Sequence, residues 1–125
     1  MREIKFRAWD KYDKRMVEVD SIHLPLGKSS GKDITTYNKE EGYYEWVYDY
    51  ELMQYTGLKD INQKEIYEGD ILKSVAGKLL EVKISSKYGV YANVDFRTIE
   101  LIGQSCPERN YKVIGNIYEN SNLLY

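Results

Sequence analysis

The fold of this chain is decided by the stretch EIYEGDILKSVAGKLLEVKISSKYGVYANVDF, residues 65–96. Short runs of branched and aromatic residues alternate there with the turn-forming residues Gly69, Gly77 and Gly89. Such runs are short for helices, and their regular spacing is typical of strands in a small barrel or sandwich. We therefore predict an all-β fold, a small SH3-like or related β barrel.

The flanking segments extend this pattern. Ile4, Phe6 and Ala8 alternate with polar residues before a polar turn, which predicts an N-terminal hairpin with residues 16–19. Alternation over residues 44–52 predicts one half-buried strand. Residues 26–41 are polar and predict a flexible insertion outside the core, while Asn120 is a candidate N-cap for a short C-terminal helical turn.

Length, cysteine content and hydropathy limit the classes of protein to which this chain can belong. The 125 residues predict a single domain over 1–125. One cysteine, Cys106, cannot form a disulfide within the chain, and the sequence holds no apolar run of membrane-spanning length. We therefore expect a cytoplasmic protein that does not enter the membrane.

The residues that carry enzyme chemistry are few. The single histidine, His23, has no serine elbow beside it, and Cys106 has no cationic neighbour that would activate its thiol. Glu68 and Asp70 bracket Gly69, a pattern that favours a positive-φ turn over acid–base catalysis. One cysteine and one histidine are too few for a zinc site, and the sequence contains no nucleotide-binding loop. The sequence thus predicts no catalytic residue, no metal and no cofactor.

Tyrosine is the compositional excess, with 13 copies, several of them between residues 37 and 55. Tyrosine offers a large rigid contact area with a polar end and is enriched in protein interfaces. The candidate contact residues for a protein partner, or for self-association, are Tyr43, Tyr44, Trp46, Tyr48 and Tyr50.

Nucleic-acid binding is the alternative function. Small barrels often expose aromatic and basic residues that stack on single strands, and Lys5, Arg7 and Trp9 are the candidates for this role. The net charge of −2 and the pI near 5.5 disfavour phosphate attraction across the whole surface.

Three long motifs, read together, resemble the YopX family of proteins encoded by bacteriophages and prophages. They are REIKFRAWD at 2–10, QYTGLKD at 54–60 continuing to IYEGDI at 66–71, and VIGNIYEN at 113–120. Two positions depart from the family pattern: Gln63 replaces a common glycine, and Ser121-Asn122 replaces a common Pro-Glu.

This resemblance implies a mostly β domain carried on phage DNA, and it supplies no catalytic residues to transfer. The leading hypothesis is a phage or prophage accessory protein without enzymatic activity. Its expected partner is a host or phage protein in the bacterial cytoplasm, and a small barrel that binds nucleic acid is the alternative.

Overall fold

The computed structural model describes residues 3–23, 33–93, 99–104 and 106–124. The chain is mostly β, with a curled half-barrel sheet, so the all-β prediction is confirmed. The strands in chain order are β1 (Phe6–Asp10), β2 (Arg15–Glu18), β3 (Ser21–Ile22), β4 (Ile34–Asn38), β5 (Tyr43–Val47), β6 (Tyr50–Lys59), β7 (Glu65–Tyr67), β8 (Asp70–Ser74), β9 (Leu79–Ser85), β10 (Gly89–Asn93), β11 (Ile99–Leu101) and β12 (Tyr111–Asn116). Single 3-10 turns occur at Glu108–Asn110 and Ser121–Leu123.

The chain divides into two compact units. We call Lys5–Gln54 the N-terminal unit, and Tyr55–Tyr125 together with Met1–Ile4 the C-terminal unit. The boundary falls within β6. A single domain over residues 1–125 stays a prediction.

In the N-terminal unit, the hairpin predicted from the sequence is present. β1 lies between β2 and β6, with Ala8 opposite Val17 and Leu52. A second sheet has the order β3-β4-β5. Buried side chains from both sheets form one apolar cluster of Ala8, Val17, Ile34 and Val47. Strand alternation produces this cluster because every second side chain points to the same face.

The polar segment 26–41 contains a core strand that the sequence analysis missed. Ile34 is fully buried, and Thr35 and Thr36 of β4 are buried too. Residues 34–38 therefore belong to the sheet, because the threonines fit a pleated surface and Ile34 packs against Val47 in the cluster. Residues 39–41 lie in the turn after β4. Residues 26–32 of the predicted insertion lie outside the described residues, and the flexibility of the segment stays a prediction.

The predicted single strand over residues 44–52 is two strands. β5 ends at Val47 and β6 begins at Tyr50, with Tyr48 and Asp49 between them. Val47 is buried, whereas Tyr44 and Trp46 on the opposite face of β5 are exposed. Tyr44 and Trp46 share one face, as the alternation predicts, but that face is the outer one.

The C-terminal unit contains a five-stranded sheet with the order β11-β10-β9-β8-β12. Its core is one cluster of Ile66, Leu72, Leu80, Val82, Val90, Ala92, Ile102, Tyr111 and Val113. The short runs that Gly69 and Gly77 separate within the stretch 65–96 coincide with β7, β8 and β9. The C-terminal helical turn is present after Asn120, whose side chain accepts the Asn116 N–H instead of capping the turn.

Turns in this unit are held by buried carboxylates. Asp60 accepts the backbone N–H groups of Asn62 and Lys64, and Asp70 accepts that of Tyr67. The predicted positive-φ turn at Gly69 is present, with φ of 86°. The Glu68-Gly69-Asp70 sequence therefore has a structural explanation: Gly69 makes the turn and Asp70 fastens it.

Candidate binding cleft

A cleft of about 700 Å³ opens in the N-terminal unit. Its walls come from the β1–β2 hairpin turn, from β5 and from the β5–β6 turn. The lining residues are Asp10, Tyr12, Asp13, Arg15, Tyr43, Tyr44, Glu45, Trp46, Tyr48 and Asp49. This volume lies within the usual range for ligand sites, and aromatic rings supply half of the lining residues.

The aromatic wall of the cleft consists of the rings of Tyr44, Trp46 and Tyr48, and the pairing of β5 positions the first two. β5 pairs with β4, which places Tyr44 opposite Tyr37 with their ring centroids 4.9 Å apart. Trp46 likewise contacts His23, with ring centroids 4.9 Å apart. These neighbours hold the aromatic side chains in place while leaving much of each ring accessible, since Tyr44 is 61% and Trp46 38% exposed. The cleft therefore presents ordered rings to solvent.

The opposite wall is built by Asp10. Its Oδ1 accepts the backbone N–H groups of Tyr12 and Asp13, both at 3.1 Å, which closes the hairpin turn. Its Oδ2 accepts a bond from Arg15 Nε at 3.4 Å. The buried carboxylate thus fixes both the turn and the guanidinium that reaches toward β5.

Arg15 joins the two walls. Its Nη2 donates to Glu45 Oε2 at 3.0 Å, and Asn38 donates to the other oxygen of Glu45. These bonds, from Asn38 first and Arg15 second, lower the pKa of Glu45, while the bond to Glu45 raises the pKa of Arg15. Arg15 and Glu45 therefore satisfy each other.

Negative charge predominates in the lining. Four carboxylates, those of Asp10, Asp13, Glu45 and Asp49, face one guanidinium. Asp13 and Asp49 are the accessible members of this group, with side chains 55% and 71% exposed. We call these two residues the rim carboxylates.

Four of the five predicted contact residues line this cleft: Tyr43, Tyr44, Trp46 and Tyr48. Tyr50 is absent from the lining and packs against the apolar cluster of the N-terminal unit. Its hydroxyl donates to Asp33 at 3.0 Å, and burial together with this bond raises the pKa of Tyr50 to about 12. The assignment of all five residues to partner binding stays a prediction.

The candidates for nucleic-acid binding lie in a different setting. Lys5, Arg7 and Trp9 are half-buried. Arg7 lies opposite Glu18, and Trp9 lies opposite Glu51. Cross-strand neighbours share a face of the sheet, so acidic residues flank Arg7 and Trp9. Their role in nucleic-acid binding remains a prediction that the acidic neighbours make less favourable.

The family of the chain is established by comparison with known proteins. The profile of the family described as YopX protein matches residues 5–125. The chain belongs to the YopX family. Over its full length, this YopX member is also similar to the crystal structure of protein EF1440 from Enterococcus faecalis, with 28% identity, a TM-score of 0.71 and complete coverage of both chains. No curated protein matches it.

The motifs by which this YopX member is recognised have mainly structural roles. Asp60, Gly69 and Asp70 hold turns, and Gly115 lies at an irregularity in the β8–β12 pairing. The described residues contain no group of three His, Cys, Asp or Glu side chains suited to a metal ion. No helix in the described ranges is long and apolar enough to cross a membrane.

Sequence reasoning found the aromatic wall of the YopX cleft but missed the acidic one. The sequence pattern predicts a polar hairpin turn at this point, but it does not predict that Asp10, Asp13 and Arg15 line a cleft. The available signal was the Asp-x-Tyr-Asp turn itself, because an aspartate before a turn often accepts its backbone N–H groups. No sequence signal linked that turn to β5.

Proposed function

We propose that this YopX family protein is a phage or prophage accessory protein that binds another protein through the aromatic cleft and has no enzymatic activity. The observation that carries the proposal is the set of accessible, ordered aromatic rings in one concave surface. Exposed apolar patches of this kind mark interaction sites, and Tyr and Trp are the residues most often found at energetic centres of interfaces.

The contacts around the rings support binding over a purely structural role. Trp46 and Tyr44 lie on the face of β5 opposite to buried Val47, so they are not needed to fill the apolar cluster. Their neighbours His23 and Tyr37 restrict their motion. Pre-ordered aromatic side chains lose little conformational entropy when a partner covers them, which favours binding.

Acid–base catalysis has weaker support. Asp10 and Glu45 are both occupied by hydrogen bonds within the protein. Among the described contacts of His23, the one with a hydroxyl nucleophile is to Ser21, whose Oγ lies 3.1 Å from Nε2. This contact is exposed to solvent. A nucleophile activated by a base needs a third group that orients the base, and no such group is seen among the described contacts of His23.

The experiment is affinity capture from host lysate with tagged protein, compared among the wild type, Trp46→Ala, Tyr44→Ala and a control. Tyr88→Ala is the matched control, because Tyr88 has the same 38% exposure as Trp46 but lies outside the cleft. We expect one partner that is retained by Tyr88→Ala and reduced at least about tenfold by Trp46→Ala. A partner that both cleft variants retain, or no partner with wild-type protein, contradicts the proposal.

A further inference from the structure

We propose that the cleft binds an extended, cationic segment of the partner, whose lysine or arginine side chains contact both the aromatic wall and the rim carboxylates. This inference rests on the proposed function and names the chemistry of the partner. Four observations carry it: the charge of the lining, the aromatic rings, the position of the cleft along β5, and the poor fit of other occupants.

The charge of the lining is not balanced within the protein. Arg15 already bonds to Glu45 and Asp10, so the single guanidinium of the lining is committed. Its contact with Asp13 is longer, at 3.8 Å. Lys11 approaches Asp49 only to 3.8 Å because its closer partner is Glu51, at 2.7 Å. The rim carboxylates therefore keep most of their negative potential for an incoming cation.

The aromatic wall adds attraction for the same class of ligand. A lysine or arginine cation is attracted to the face of an aromatic ring, and tryptophan gives the strongest effect. An arginine guanidinium can also stack on a ring while bonding to a carboxylate. Trp46, Tyr44 and Tyr48 supply rings, and Asp13 and Asp49 supply carboxylates, within one cleft. This combination suits a cationic side chain better than a neutral one.

The cleft follows the edge of β5, which favours an extended segment. Four consecutive residues of β5, from Tyr43 to Trp46, line it. Consecutive strand residues point to opposite faces, so a cleft that touches all four runs along the strand edge. In the described part of the chain β5 pairs with β4 alone. A strand edge of this kind offers backbone groups to an extended peptide.

Two other occupants fit the lining less well. Phosphate groups of a nucleic acid would meet an excess of carboxylates, although the rings alone could stack on bases. A second copy of the chain, docked cleft to cleft about a two-fold axis, would place the rim carboxylates of both copies close together. Like charges repel in both arrangements, whereas a basic segment neutralises the rim.

The test is calorimetric titration of the full chain with two capped octapeptides, one alternating arginine with threonine and one with glutamine in place of arginine. We expect the arginine peptide to bind at least about tenfold more tightly. Its affinity should fall as salt is raised, because exposed charges are screened. Equal affinity for both peptides, or no binding of the arginine peptide at millimolar concentration, overturns the inference.

Matched variants separate the rim from general charge. Asp13→Asn with Asp49→Asn removes two negative charges at the cleft, and Asp20→Asn with Glu41→Gln removes two exposed charges outside its lining. We expect about fivefold weaker binding of the arginine peptide for the first pair and little change for the second. Equal weakening by both pairs overturns the inference. A lysate partner that still depends on Trp46 would then leave the proposed function intact.

Discussion

Replacing Asp60 by alanine should strongly destabilise the C-terminal unit. Asp60 is 2% exposed and follows β6 directly. One carboxylate oxygen accepts the N–H groups of Asn62 at 2.8 Å and Lys64 at 2.9 Å, and the other accepts the N–H of Val113 at 2.8 Å. A single side chain thus closes the β6–β7 turn and joins it to β12.

The magnitude follows from these three bonds. A hydrogen bond to a charged group contributes about 1.5–3 kcal/mol to stability. If water can replace the lost acceptor, the new hydrogen bond to water offsets much of this loss. Asn62 and Lys64 are exposed and can be hydrated, whereas the bond to Val113 is buried. Leaving a buried N–H without an acceptor costs about 1–3 kcal/mol. We therefore expect Asp60→Ala to lower the free energy of unfolding by about 3–5 kcal/mol in total.

Asparagine at position 60 should give a smaller loss of about 1–3 kcal/mol. Its shape is almost unchanged, but one carboxylate oxygen becomes an NH₂ group that cannot accept a hydrogen bond. Either the Val113 N–H or the pair at Asn62 and Lys64 then loses its acceptor. The expected order of stability is wild type, then Asp60→Asn, then Asp60→Ala.

Urea unfolding followed by circular dichroism measures this order, with Asp20→Asn as the control at an exposed aspartate. Hydrogen exchange adds a local measurement, because the Val113 amide should exchange faster in both Asp60 variants. A loss below about 1 kcal/mol for Asp60→Ala, or an unchanged Val113 exchange rate, would refute the reasoning.

Three further substitutions test other contacts. The pKa of Tyr50 is raised from the ordinary 10 to about 12. The protonated hydroxyl therefore stabilises the folded state fully below pH 10, and this stabilisation is lost as the pH rises through about 12. Phenolate absorbance should show a titration near pH 12 that Tyr50→Phe removes. Gln63→Gly should raise the free energy of unfolding in urea by about 0.5–1 kcal/mol, because Gln63 has a φ of 65°. Gly115→Ala should cost about 1–2 kcal/mol in urea unfolding, since its Cβ would lie 2.5 Å from Asn120 Oδ1, and less in an Asn120→Gly background.

The strands that sequence reasoning placed correctly are those bounded by unambiguous turn chemistry. Gly69 and Gly77 separate β7, β8 and β9, and both have positive φ. β4 was missed because its buried positions include Thr35 and Thr36, which read as polar in a segment already rich in glycine and serine. Their burial depends on a partner strand, and a single sequence does not reveal that pairing.

The acidic half of the cleft was missed for a related reason. Arg15 and Glu45 are 30 residues apart, and the bond between them brings the hairpin turn to β5. Periodicity identifies the face of one strand, but it says nothing about which distant turn will lie beside that face. The aromatic excess was visible because it is a property of composition, whereas the charge of the cleft is a property of tertiary structure.

Stability and binding should respond to different substitutions in this protein, because the residues that stabilise the turns and those that line the cleft are almost entirely different. Of the cleft residues, only Asp10 falls within the three family motifs, and it closes the hairpin turn. Trp46→Ala removes a ring that is not in the apolar cluster, so it should leave the free energy of unfolding within about 1 kcal/mol of wild type while abolishing most binding.

Asp60→Asn should show the reverse behaviour in the same two assays, with a lower urea midpoint and unchanged binding of the arginine peptide under native conditions. Asp60 belongs to the C-terminal unit and the cleft lies in the N-terminal unit. Mutations at sites without shared partners usually act additively. If Trp46→Ala unfolds the protein, the ring has a structural role instead, and the argument for a binding surface loses its main support.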